Sequence, residues 1–254
     1  MSLTHENNYK NIPRPVVAVA KEFASGQLIS LHKHSRSQFL YASSGVMTVK
    51  THKGIWVVPP LRAVWIPANT LHEIEASGHL SMRTLYIEPE TFIGPANECC
   101  VITVAPLLRE LVFYAMTLPA LYPIGGEEER LLTVLLDQIS RVDMTPLELP
   151  IPEDPRLKKI YEHLSTTPND KRSLEDWGQT VGATGRTLSR LFQKETSMSF
   201  GQWRQQIRIL EALRRLGMNK PVTTVAIELG YDSPSAFIAM FKKTLGKTPG
   251  RYFG

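Results

Sequence analysis

His32 and His34 stand two residues apart, so on a β-strand both imidazoles project from one face. Gln38 keeps the same parity, and His72 lies where a facing hairpin can bring it to them. Three imidazoles suit zinc, nickel or iron, and the Gln38 amide oxygen is a neutral fourth donor where a carboxylate would be stronger. The same four side chains can instead hydrogen-bond a small effector without metal, or persist as a polar cluster inside a barrel. A second chemistry sits far downstream. Arg186 and Arg190 share one face of a helix at i, i+4, and arginine so placed can fork onto guanine O6 and N7.

Strands must carry the histidines. Short β-rich runs recur at Val16 to Ala20, Gln27 to Leu31, Gln38 to Tyr41, Val46 to Thr51, Ile55 to Val58, Ala63 to Ile66 and Met82 to Ile87, punctuated by Gly and Pro. Closely spaced strands without helices between them predict an antiparallel barrel or jelly roll. Within it, Arg62 and the indoles of Trp56 and Trp65 are candidates for lining a pocket for an aromatic or anionic effector; the alternative is that the tryptophans are core. From Pro106 the period changes. Leu107, Leu108, Leu111, Val112 and Ala115 share one helical face, as do Leu131, Leu132, Leu135 and Ile139. These two helices either cap the barrel or pair with a second subunit, and a homodimer is the favoured expectation.

The proline-rich stretch from Met144 to Pro155 reads as a stiff spacer. The organisation expected is therefore a sensing barrel over 1–95, a helical capping or dimerisation segment over 96–143, a linker over 144–155 and a helical domain over 156–254.

That last part holds the same unit twice. Thr184 to Lys194 aligns with Ser233 to Lys243, placing Leu188 on Phe237, Leu191 on Met240 and Phe192 on Phe241, six positions that should face the core. Each copy reads as helix, tight turn and capped second helix, the helix-turn-helix pattern. Ser173 to Asp176 looks like a capping box, and Thr184 and Ser233 are placed as N-caps. The exposed face of the first unit should carry Gly185, Arg186, Ser189, Arg190 and Gln193, and that of the second Pro234, Ser235, Ile238, Ala239 and Lys242. In the second, Ser235 can take a hydroxyl contact, Ala236 and Ala239 can touch thymine methyls, and Lys242 and Lys243 can bind phosphates. Phe200 to Leu216 forms an amphipathic connector about 25 Å long, a strut that can hold two reading helices near successive major grooves.

Charge agrees. Residues 155–254 hold 17 Lys and Arg against 8 Asp and Glu, while the rest of the chain is net acidic, so the basic footprint of a polyanion-binding module falls on one domain. Adjacent Cys99 and Cys100 cannot staple distant segments, which fits buried thiols in a reducing, cytoplasmic setting. No apolar run reaches a membrane span, and the polar start from Met1 to Asn8 lacks a leader's apolar stretch.

The stretches Ser173 to Gly178, Arg186 to Phe192, Val225 to Lys243 and Gly246 to Phe253 together resemble the AraC/XylS family of transcription regulators over residues 155–254. Ala239 departs from family members that place a base-reading arginine there. In the first half, Gly26-x5-His32-x-His34-x3-Gln38-x6-Gly45 resembles the first cupin motif, and Pro67-x4-His72 matches part of the second. The resemblance implies a regulator that binds double-stranded DNA, controlled by a small molecule or metal in a cupin barrel. Two alternatives stand beside it: a metal-dependent cupin enzyme with a DNA-binding appendage, and a constitutive regulator whose barrel only dimerises.

Overall fold

The computed structural model describes residue 9 and residues 12–141, 144–145 and 147–253. The polar start, Pro146 of the linker and the end of the helical segment at 142–143 lie outside them. The chain divides into two compact units, Met1–Thr51 with Trp56–Pro146 and His52–Ile55 with Leu147–Gly254.

The first unit is an antiparallel β-domain. Its strands are β1 (Val16–Phe23), β2 (Leu28–His32), β3 (Ser37–Lys50), the part of β4 (Gly54–Val58) from Trp56 on, β5 (Arg62–Ile66), β6 (His72–Ile87) and β7 (Cys100–Thr103). The backbone of the domain is the β3·β6 ribbon, paired from Ser37↔Ile87 to Lys50↔Glu73. Its register slips on both sides of Ser44, and such bulges bend a ribbon so that its halves can serve different sheets. One half pairs with β1 on one side and with β5, then β7, on the other; the other half takes β2 and β4.

Gly45 makes the bend. Its φ is +72°, and a Cβ there would lie 2.5 Å from the His79 carbonyl oxygen. The two runs read separately as Gln38 to Tyr41 and Val46 to Thr51 are thus one strand bent at a glycine.

Two helices follow, α1 (Pro106–Ala115) and α2 (Glu127–Ser140). Leu108, Val112, Leu132, Leu135 and Ile139 are buried in one core with Phe39, Tyr41, Trp65, Leu85 and Ile102. The segment expected to be helical from residue 96 differs at its start, where Cys100–Thr103 is strand. Cys100, Val101 and Ile102 form a short buried run, which suits a strand added to β5. Both cysteines are buried and form no disulfide.

The linker also differs from a bare spacer. It contains β8 (Met144–Thr145), which pairs with β7, and β9 (Glu148–Pro150). Leu147 and Leu149 are buried. Within the second unit, the Trp203 indole donates to the Pro150 carbonyl at 3.2 Å and the Gln206 amide to the Glu148 carbonyl at 2.9 Å.

The helices of the second unit are α3 (Pro155–Thr166), α4 (Leu174–Val181), α5 (Gly185–Thr196), α6 (Phe200–Gly217), α7 (Val222–Glu228), α8 (Pro234–Leu245) and α9 (Pro249–Phe253). No described helix is long and apolar enough to cross a membrane.

Candidate metal centre and nucleic-acid interface

β2 and β6 bring the histidines together. His32 is the cross-strand partner of His72, and their rings lie 4.4 Å apart. His34, just beyond β2, is 4.7 Å from the His32 ring and 5.6 Å from the His72 ring. One ring nitrogen from each of the three lies within 4.8 Å of the others. Backbone oxygens orient two of the rings: His32 Nδ1 faces the Ser30 carbonyl at 2.7 Å and His72 Nδ1 the Thr70 carbonyl at 2.8 Å. A carbonyl only accepts, so each Nδ1 is protonated and each Nε2 offers its lone pair.

Burial sets the charge of His72. Desolvation is the largest influence on it; the Thr70 carbonyl opposes and the neighbouring His32 assists, leaving its pKa at about 4. His72 is therefore neutral near pH 7, the form a metal needs. Its Nε2 has no hydrogen-bond partner among the described residues.

Gln38 is 3% exposed, and its Oε1 has no hydrogen-bond partner among the described residues. It stands opposite Tyr86 on the β3·β6 ribbon, and directly opposed residues share a face. The Tyr86 ring lies 5.3 Å from that of His34. The structure thus gathers His32, His34 and His72, and puts Gln38 on the face of their aromatic neighbour. Sequence reasoning missed Tyr9, which stacks on Tyr86 at 3.6 Å and places its hydroxyl on His34 Nδ1. A lone tyrosine before the first strand carries no periodic signal.

Trp56, Arg62 and Trp65 go elsewhere. Trp65 is buried in the shared core, where its indole donates to the Ala96 carbonyl at 3.0 Å and its ring meets Phe92. Trp56 is buried on β4, and Arg62, at the start of β5, donates to the Leu61 carbonyl. A cavity of about 420 Å³ lies between β1 and the α1–α2 connection, lined by Val16 to Ala20, Ala115 to Ala120, Tyr122 and Leu132. None of the three lines it.

In the second unit the first helix-turn-helix is α4–α5. Ser173 caps α4 through a reciprocal box with Asp176, and Thr184 caps α5 by accepting from Thr187 N–H. The turn is tight because Gly178 admits it: a Cβ there would lie 2.3 Å from the Ala183 carbonyl oxygen. Leu188 and Phe192 are buried; Leu191, read as core, is only half-buried. Arg186, Ser189, Arg190 and Gln193 are all exposed.

The second is α7–α8, with Ser233 capping α8 by accepting from Ala236 N–H at 3.2 Å. Phe237 and Phe241 are buried; Met240, expected in the core, and Pro234 and Ile238, expected on the exposed face, are all half-buried, as is Gly185 in the first unit. Ser235, Ala236, Ala239, Lys242 and Lys243 are exposed. Apolar contact is the chemistry left to the middle of this face, and its cations gather at the C-terminal end.

Between the two helix-turn-helix motifs, α6 is buried along most of its length at Trp203, Ile207, Ile209, Leu210, Ala212, Leu213 and Leu216. A helix apolar on more than one side is one packed between two bodies. Trp203 meets Phe192 of α5 at 5.1 Å between ring centres, and Arg215 joins Glu211 on its own helix to Glu228 of α7. A polar knot braces the same domain. Asp170 accepts from Arg172 at 2.7 Å and faces His163 at 2.9 Å, and the Arg172 guanidinium lies 3.6 Å over the Trp177 ring.

The family model described as an AraC-like ligand binding domain matches residues 15–112, and one described as a helix-turn-helix domain matches residues 177–254. The HTH-type transcriptional regulator NimR of Escherichia coli K12 is 36% identical over 222 residues, which is 87% of this chain and 81% of NimR. The chain belongs to the AraC family of transcriptional regulators. The arabinose operon regulatory protein of E. coli K12 is 28% identical over 132 residues, half of this chain and 45% of that AraC-family relative. The crystal structure of ToxT from Vibrio cholerae O395 aligns over 94% of this chain and 97% of its own at 11% identity and a TM-score of 0.39, too loose a likeness to inform the site. As an AraC-family regulator, the chain has DNA as its partner and carries its ligand-binding model over the residues that hold the three histidines.

Proposed function

We propose that this regulator binds a divalent transition metal ion at His32, His34 and His72, and that the ion sets how α5 and α8 engage double-stranded DNA. The observation that carries the reading is the approach of three ring nitrogens within 4.8 Å. Neutral His72 and the buried, unbonded Oε1 of Gln38 support it, since such groups cost free energy unless something satisfies them. Zinc, nickel or iron would be held there by His32, His34 and His72 and would supply Lewis acidity to the cluster. The chain acts in the cytoplasm and catalyses nothing; the metal is a signal. The test is metal analysis of the purified full chain with His72→Ala as control. Stoichiometric zinc, nickel or iron lost in the variant is expected, and equal trace metal in both defeats the reading.

The 420 Å³ cavity favours a second reading, an organic effector, because its size suits a small ligand. Protection of the Ala115–Ala120 segment from hydrogen exchange by a candidate ligand would support that reading over the metal.

The active species is a homodimer joined through α1, α2 and their connection. Leu107, Tyr114, Leu121, Ile124 and Val134 are between 46% and 71% exposed there, a concentration of large apolar side chains that a second copy would cover.

A further inference from the structure

Of the three imidazoles, His34 has the partner that does not decide its tautomer. Carbonyls of Ser30 and Thr70 fix His32 and His72 with the proton on Nδ1. Nδ1 of His34 meets the Tyr9 hydroxyl, which can donate or accept. Were Tyr9 to donate, the His34 proton would sit on Nε2 and the ring would have no lone pair to offer there.

We propose that Tyr9 is a positioning residue of the three-histidine centre, its hydroxyl accepting from Nδ1–H of His34 so that all three rings offer Nε2 as donor. This rests on the reading of the centre as a metal site. It makes Tyr9 part of the centre, so occupancy and the docking of the Tyr9 ring on Tyr86 reinforce one another.

Tyr9 is held for such a task. It is 5% exposed and stacks on Tyr86 with 6° between the ring planes, with Val17 in the same small core and Ile12 and Val19 packed against it. The buried Arg36 guanidinium fastens the chain just after it, donating to the Ile12 carbonyl at 2.8 Å and the Arg14 carbonyl at 3.0 Å. Glu88 faces the same guanidinium at 3.3 Å. Burial, the largest influence on the Tyr9 phenol, raises its pKa against a hydrogen bond with Tyr86 and the charge of Arg36, so it stays protonated at neutral pH. Oxygen partners of this kind fix both the tautomer and the orientation of ligating histidines, and losing one typically weakens metal binding about 10–100-fold.

The test compares the full chain with Tyr9→Phe, which keeps the stack and removes the hydroxyl. Histidine-selective ¹⁵N labelling reads ring tautomers directly without metal. The expected result is His34 protonated at Nδ1 in the wild type and shifted toward the Nε2–H form in Tyr9→Phe, with exposed His52 and His79 unchanged. Wild-type His34 protonated at Nε2, or a tautomer indifferent to the substitution, overturns the proposal. A Co(II) titration read by visible absorption is the second arm. About 10–100-fold weaker binding in Tyr9→Phe, with unaltered far-UV dichroism, is expected; equal affinity overturns it. A wild type that binds no Co(II) defeats the metal reading instead, and the tautomer measurement still decides the role of Tyr9.

Discussion

His32 and His72 are register partners across β2 and β6, and their rings lie 4.4 Å apart although the residues are far apart in sequence. The pairing depends on the Gly45 bend, because β6 must follow β3 through it to set His72 against the end of β2. Two of the three histidines are thus fixed by the sheet, and His34 follows two residues after the end of β2, which favours a pre-formed cluster.

Gly45→Ala tests that dependence. The added methyl meets the His79 carbonyl and forces a positive φ on a residue that resists it, so stability should fall by roughly 1–3 kcal/mol. Denaturant unfolding measures the loss, and an unchanged midpoint would mean that the bend tolerates a side chain.

The reading faces should respond differently. Arg190→Ala, and to a similar degree Arg186→Ala, should remove about 1–3 kcal/mol of base discrimination in binding to selected duplexes. Lys243→Ala should weaken all sequences alike and reduce the salt slope by about one. If Arg190→Ala lowered affinity uniformly and left base preference intact, the assignment of the first unit as the sharper reader would fail.

Much of this architecture is legible in the sequence. The duplicated core of Leu188 and Phe192 with Phe237 and Phe241, the capping box at Ser173 and the caps at Thr184 and Ser233 rest on local spacing, and local spacing survives folding. The strands are visible where β-branched residues cluster. The first half of β6, His72 to Ser77, does not stand out because Glu73 and Glu75 dilute its pattern and because it begins at a histidine that reads as a ligand. The partners of Tyr9, Trp65 and Trp177 are set by tertiary contact, which no periodicity encodes. Trp65 in particular reads as pocket lining or, more often for a buried tryptophan, as core until its indole is seen bonded to Ala96.

Acid should weaken the second unit through Asp170. The Arg172 guanidinium, its chief partner, lowers the Asp170 pKa from 3.8 to about 2, against desolvation. A carboxylate with a depressed folded pKa stabilises fully above its unfolded value and loses that contribution as pH falls through the folded one. The ionised Asp170 contribution is therefore intact at pH 7 and fades between about pH 4 and 2. Asp170→Asn should cost roughly 1–3 kcal/mol at pH 7, and its deficit against the wild type should shrink across that window. A deficit independent of pH would point to lost packing instead.

For the α1–α2 surface, Ile124→Glu combined with Leu121→Glu should shift sedimentation from dimer to monomer without altering far-UV dichroism. Retention of the dimer would move the subunit contact elsewhere.

Coupling between the histidine centre and the reading helices is read out by DNA affinity with and without metal. A duplex selected by the protein from a random library serves as probe, with the full chain and His72→Ala each titrated in chelator and in excess Zn(II), Ni(II) or Fe(II). At least one of these ions should change wild-type affinity or footprint, while His72→Ala should bind identically in metal and in chelator. Identical binding by the wild type under every condition would refute the coupling.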